Sequence, residues 1–310
     1  MTRQATHSRR HKSHAAWKLG AVRVGFALGG RLAPRRTVER AARLFATPFA
    51  SSRSRARAAK PDSDMQRGQL QVRGETIATY VWGDPATQPY ALLVHGWSSF
   101  GLRFLAWVSK LRELGFAVVS FDQPGHGAST GGLCTLPDCI VATREVGKHF
   151  GTAALAIGHS MGGAALTLAQ GEDWHAERLV LIAPAADLEA AANRFIHFVH
   201  LGEHLRDAFY HWFENRTGFA PRDLAAHHHV PMLGQPGLIV HDLNDREVPW
   251  EEGERYARYW PGARLLTTQG LGHHKVVDAP EVIDATLAFV SGQCIGDRIV
   301  ASPNLPFGLA

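Results

Sequence analysis

The chain has 310 residues, 45% of them hydrophobic, which is enough for a sizeable buried core, and its net charge is +5. That charge is uneven: residues 1–60 hold 15 Lys and Arg against one acid, Glu39 (+14), while residues 61–310 hold 18 against 27 acids (−9). The basic character belongs to an N-terminal arm, and the acidic remainder argues against nucleic-acid binding by the core; three cysteines with no C-x-x-C pattern argue against a disulfide framework and favour a reducing, cytoplasmic setting.

The arm, taken as residues 1–67, comes first. Ser8-Arg9-Arg10-His11-Lys12 has the paired arginines of a twin-arginine export signal but not its apolar residues, and the basic, acid-poor start also fits a transit peptide. Residues Trp17 to Leu32 are fairly apolar, yet too short and too charged for a spanning helix. Thr37 to Phe49 reads as an amphipathic helix with Val38, Ala41, Ala42, Leu44 and Phe45 as its stripe, suited either to an anionic membrane surface or to packing on the rest of the protein. Ser51 to Ala59 reads as a linker.

From there to residue 293, short apolar runs alternate with helical stretches. Tyr90–Val94 is a buried-strand run ending in His95-Gly96-Trp97. After a helical stretch from Phe104 to Leu114, Phe116–Phe121 leads into Asp122-Gln-Pro-Gly-His-Gly127. A helix over Leu136–Phe150 precedes the run Ala153–Ile157, which meets Gly158-His159-Ser160-Met161-Gly162-Gly163. There Ser160 is expected on a sharp strand-to-helix turn, its hydroxyl thrust out beyond the sheet and its neighbours glycine because a side chain would clash. Arg178–Ala183, Gly237–His241 and Ala263–Thr267 are further strand runs, the last two followed by Asp242…Asp245 and by Gly270-Leu-Gly-His273-His274; Val282–Val290 closes the series as a helix. Strand–helix alternation implies an α/β fold, a mostly parallel central sheet with helices on both faces. Ligands of such sheets bind beyond the carboxyl ends of the strands, the rim to which Ser160, Asp245 and His273 all belong.

The order Ser…Asp…His, with the HGW loop, D-Q-P-G-H-G-x-S, G-H-S-M-G-G, D-R-E-V-P and G-L-G-H, resembles the α/β-hydrolase family over about residues 70–291. The resemblance implies a serine-dependent hydrolase that cleaves a carboxylic ester through an acyl-serine. In it Ser160 is the nucleophile, His273 the general base and Asp245 the acid that orients the imidazole; the backbone N–H groups of Trp97 and Met161 form an oxyanion hole. A thioesterase, an amidase or a C–C bond hydrolase would use the same triad, and a non-catalytic binding member would lack part of it. Asp242, and more weakly Asp187, compete for the acid's place, and His274 for the base's; the family spacing before Val248-Pro249 favours Asp245. No cofactor is implied.

The resemblance also implies a small helical lid at about residues 187–230. Phe195, Phe198, Phe209, Tyr210, Trp212, Phe213 and Phe219 in it suggest an apolar acyl pocket or, equally, helix packing. His197, His200, His204, His211 and the triplet His227–His229 have metal-like spacings, but Gly202 breaks the helix and no carboxylate or thiol completes a set, so no metal is expected. The organisation expected is therefore an arm (1–67), a catalytic domain (68–293) with its lid, and a tail (294–310). The expected partners are a small-molecule ester and, through the arm, a membrane surface.

Overall fold

A computed structural model describes residues 19–299; the arginine pair near the start, Trp17 and the tail from residue 300 lie outside the described residues. The chain divides into two compact units: Thr47–Asp187 with Leu224 onward, and the described residues through Ala46 with Leu188–Asp223.

The larger unit is built on one eight-stranded sheet. Its strands are β1 (Gln66–Val72), β2 (Glu75–Trp82), β3 (Tyr90–Val94), β4 (Ala117–Phe121), β5 (Leu155–His159), β6 (Leu179–Ile182), β7 (Gly237–Asp242) and β8 (Ala263–Thr268), in the order β1-β2-β4-β3-β5-β6-β7-β8. The first two strands pair antiparallel and β2 joins β4 antiparallel; every other pair is parallel. The parallel strands are buried on both faces, which is why they read as unbroken apolar runs. Alternate residues serve opposite layers: Leu92 and Val94 of β3 enter one cluster, Ala91 and Leu93 the other.

Helices α5 (Leu136–Phe150), α6 (Met161–Ala169) and α10 (Trp250–Tyr259) fill the first layer; α4 (Leu105–Glu113) and α12 (Pro280–Val290) fill the second. The expected helix over 136–150 forms with those bounds. Thr135 accepts from the Asp138 amide and Asp138 from the Thr135 amide, a capping box that fixes where the helix starts. The β1–β2 hairpin and α10 had no counterpart among the expected runs. β1 is largely exposed, so it lacks the apolar signature of its parallel neighbours.

The stretch read as a linker is a helix, α3 (Ala50–Ala58). Its arginines do what no apolar stripe announces. Arg53 donates to the carbonyls of Gly127 (3.2 Å), Ser129 (3.0 Å) and Gly131 (3.0 Å), and Arg55 donates to the Ser98 carbonyl (2.6 Å) and lies over the Phe100 ring. Composition alone reads three arginines among small residues as solvated chain; loop carbonyls distant in sequence turn them into anchors.

The smaller unit joins the arm to the inserted segment. Residues 19–32 form α1, followed by α2 (Pro34–Phe45); the insertion supplies α7 (Leu188–Val199) and α8 (Arg206–Thr217). The stripe read on α2 faces inward: Val38, Ala41 and Ala42 are buried, and Phe45 packs its ring 5.0–5.9 Å from those of Phe195, Phe209 and Phe213. Leu44 stays half exposed. Residues 47–67, read as part of the arm, belong with the sheet. Among the described residues no helix is long and apolar enough to cross a membrane.

Arg53→Ala should cost about 1–3 kcal/mol of unfolding free energy in urea, because three part-buried carbonyls lose a charged donor. Arg57→Ala, an exposed neighbour on the same helix, should change it by less than about 0.5 kcal/mol. Equal stability of both variants and the parent would show that α3 is not anchored through Arg53.

Candidate active site

Ser160 sits between the end of β5 and the start of α6 with φ 55° and ψ −125°. A non-glycine residue rarely occupies this region, so the turn is held there by its surroundings. The Ser160 amide donates to the Ile182 carbonyl at 2.9 Å. A Cβ on Gly162 would stand 2.3 Å from the Val94 carbonyl oxygen, one on Gly158 2.7 Å from Gly163 Cα, and one on Gly96 2.8 Å from Ser160 Cβ. Backbone fills the space on each side, which is the physical content of the glycine pattern read from the sequence.

His273 lies on the short helix α11 (Gly272–Lys275) after β8, reached through Gly270 and Gly272, both with positive φ. Its Nε2 is 3.0 Å from Ser160 Oγ, and its Nδ1 is 2.7 Å from Asp245 Oδ2. Asp245 occupies the loop after β7, where its Oδ1 accepts from the amides of Glu247 (2.8 Å) and Val248 (3.0 Å). Burial alone would raise this carboxyl, but hydrogen bonds from His241 and His273 outweigh it and hold Asp245 well below the usual carboxylate range. The structure thus brings Ser160, His273 and Asp245 into one hydrogen-bonded line.

The rival residues lie elsewhere. Asp242, fully buried, accepts from the Leu271 amide (2.9 Å), Thr268 Oγ1 (2.8 Å) and the Asn244 amide (2.9 Å). It ties the loop that carries Asp245 to the loop that carries His273. Burial pushes its carboxyl up, and these backbone and hydroxyl donors more than offset that, leaving it lowered. Asp187 pairs with Arg255 at 2.9 Å. His274 is exposed, 2.8 Å from Glu247. Met161 is the first residue of α6, so its amide is among the helix-start N–H groups without an intrahelical partner. Trp97 follows Gly96, the residue pressed against Ser160.

Four further histidines line this region, and sequence reasoning gave none of them a role. His95 donates through Nδ1 to the Gly96 carbonyl (2.8 Å) and accepts the Gln123 amide at Nε2 (2.9 Å). His126 donates to the Pro124 carbonyl (2.9 Å) and accepts the Ser98 amide (3.0 Å). Each pair of bonds fixes a neutral tautomer and braces the Gly96-Trp97-Ser98 loop. Burial pushes His95 down to about 4 and His126 to about 3. His159 donates from Nε2 to the His273 carbonyl at 3.0 Å; burial, then the nearby His273, keep it well below the ordinary histidine range. His241, fully buried, puts its Nε2 3.1 Å from the Val248 carbonyl and 3.5 Å from Asp245 Oδ2. The signal was present in His-Gly-Trp and Pro-Gly-His-Gly, but a histidine that braces a loop has the same letters as one that titrates in catalysis.

The histidines of the insertion are dispersed: His211 bonds to the Asp207 carbonyl and His197 approaches Glu203. Among the described residues no three His, Cys, Asp or Glu side chains converge as metal ligands would.

A model of the alpha/beta hydrolase family matches residues 91–286. A monoglyceride lipase of Rattus norvegicus is 29% identical over 171 residues, 49% of this chain and 56% of that protein, so the chain spans about half the length of that curated relative. Solved structures share the fold at low identity. An esterase of Exiguobacterium antarcticum has a TM-score of 0.57 at 20% identity, over 73% of this chain and 100% of its own. A bacterial membrane phospholipase A has a TM-score of 0.54 at 18% identity, over 94% of this chain and 99% of its own.

His95 and His126 carry a stability prediction. Their folded values lie below the ordinary 6.5, so as pH falls beneath that value the unfolded chain binds protons that the folded one refuses. Stability should therefore be full above pH about 6.5 and fall towards pH about 4, each histidine contributing about 1.4 kcal/mol per pH unit. Urea unfolding at a series of pH values reads this slope. His126→Gln should flatten it, and a slope unchanged by that substitution would refute the assignment.

Proposed function

The chain belongs to the α/β-hydrolase family, and we propose that it is a serine hydrolase that cleaves a carboxylic ester of a small or acyl-chain substrate. Hydrolase chemistry of the esterase and lipase type agrees with the relatives it matches. The observation that carries the finer reading is the approach of Ser160 Oγ to His273 Nε2 at 3.0 Å, with His273 Nδ1 held at 2.7 Å by Asp245.

In the proposed reaction Ser160 Oγ attacks the ester carbonyl carbon while its proton passes to His273 Nε2, since a neutral hydroxyl is too weak a nucleophile unaided. Asp245 keeps the Nδ1–H tautomer and stabilises the imidazolium that forms. The carbonyl oxygen gathers negative charge, and the amides of Met161 and Trp97 would donate to it. His273 then returns the proton to the departing alcohol, leaving an acyl-serine. Water, deprotonated by the same imidazole, releases the acid and restores Ser160. The acyl preference is proposed by analogy: the rat relative is named a monoglyceride lipase and the structural neighbour a phospholipase A.

Ser160→Ala should abolish labelling by a fluorophosphonate probe and lower turnover of a soluble ester by several orders of magnitude. Labelling retained in that variant would overturn the nucleophile assignment. Asp245→Asn and Asp242→Asn should separate cleanly. The first should cut kcat by orders of magnitude because the wrong tautomer is favoured. The second should lower unfolding free energy by about 1–3 kcal/mol, because an amide nitrogen then faces the Leu271 amide. If Asp242→Asn had the larger effect on kcat at unchanged stability, the two roles would be reversed.

A further inference from the structure

The arm presents a surface that the fold leaves uncovered. In α1 Phe26 turns inward, whereas Val24, Leu28 and Leu32 are 57, 54 and 84% exposed. Those three recur every four residues and so share one side of the helix. Nearer its inward side, α1 is tied to α7: Arg23 donates to the Phe198 carbonyl at 2.8 Å and lies 5.2 Å over the Phe198 ring, itself 53% exposed. Arg31 neighbours Leu28 and Leu32 on α1, Arg35 and Arg36 follow in the first turn of α2, and all three are exposed and make no ion pair among the described residues. Glu39, the single acid of residues 1–60, is already paired with Arg43.

We propose that this face of α1 seats the protein on an anionic phospholipid bilayer. The apolar side chains would enter the acyl boundary while the arginines meet lipid phosphates. Charge complementarity selects the partner's sign, and the apolar stripe selects its class. A nucleic acid would satisfy the arginines and leave Leu28 and Leu32 in water, whereas a lipid interface takes both kinds of group at once. α1 carries Arg23 and Arg31 among its apolar residues, which suits a helix lying in the interface plane with its charged groups at the lipid phosphates. Of the stripe read on α2, only Leu44 stays half exposed. Phe26 is buried and Phe45 is packed among phenylalanine rings, so neither is available to lipid. α1 is held in one unit with the inserted segment, where Arg23 meets Phe198. This inference does not rest on the proposed ester chemistry.

The test is flotation of the full chain with phosphatidylcholine vesicles, with and without phosphatidylglycerol, at low and high salt, beside hydrolysis of a soluble ester by the same samples. Binding should need the anionic lipid and weaken as salt shortens the screening length. Leu28→Asp with Leu32→Asp, and separately Arg35→Glu with Arg36→Glu, should each weaken binding about tenfold or more while melting temperature and soluble-ester turnover stay unchanged. Both pairs are exposed, so neither threatens the fold. No flotation at low salt would overturn the proposal. So would binding that survives the aspartates but not the glutamates, and so would a duplex DNA that displaces the vesicles. Loss of turnover in the parent chain with flotation intact would count against the ester chemistry alone.

Discussion

The rim of the sheet depends on one close approach, that of the β5–α6 turn to the end of β3. Gly162 lies so near the Val94 carbonyl that a single methyl group would stand 2.3 Å from that oxygen. This contact allows α6 to begin directly after Ser160 and leaves Ser160 in a backbone conformation it would not choose alone. The strain is sustained because the parallel strands on either side are fully buried, so relaxing the turn would open the core. From that fixed hydroxyl the other positions follow: His273 at 3.0 Å must come from β8's loop, and Asp245 at 2.7 Å beyond it from β7's.

Two aspartates three residues apart then divide the work. Asp245 spends Oδ1 on the amides of its own loop and keeps Oδ2 for His273. Asp242 spends its whole carboxylate on backbone and hydroxyl donors, joining the two loops. The two roles stay separate: the donors to Asp242 come from the Asn244 and Leu271 amides and the Thr268 hydroxyl, whereas the imidazole of His273 meets Asp245. The buried histidines act similarly. As neutral rings with one donor and one acceptor, His95 and His126 bridge an amide and a carbonyl, which neither a carboxylate nor an amine could do.

Much of this was legible because burial writes itself into sequence. The parallel strands are continuous apolar runs, and their ends, glycines and rim residues follow in a fixed order. What could not be read has a physical cause in each case. β1 and β2 form an edge hairpin, and β1 lies open to water, so its alternation is weak. α3 is held by arginine-to-carbonyl bonds whose acceptors lie more than 70 residues away, a pattern with no local period. Asp242 ends β7 and Asp245 follows three residues later, so local pattern alone leaves both open; the family spacing before Val248-Pro249 favours Asp245, and His273 Nδ1 lies 2.7 Å from that carboxylate.

The aromatic residues of the insertion were open to two readings, an acyl pocket or helix packing, and particular rings now divide between them. Phe195, Phe209 and Phe213 surround Phe45, with Phe209 fully buried, so they form the core of the unit that joins α2 to α8. These ring contacts hold the helices of that unit together. Phe198 and Phe219 stay about half exposed. The same division explains the arm. Its charge placed it at a surface, but a helix of arginines and alanines has little apolar area to bury, and α2 gains stability chiefly where Phe45 reaches the insertion's rings. α1, α2 and the insertion's aromatics are thus parts of a single packed unit, although more than 140 positions separate Phe45 from the start of α7 in sequence.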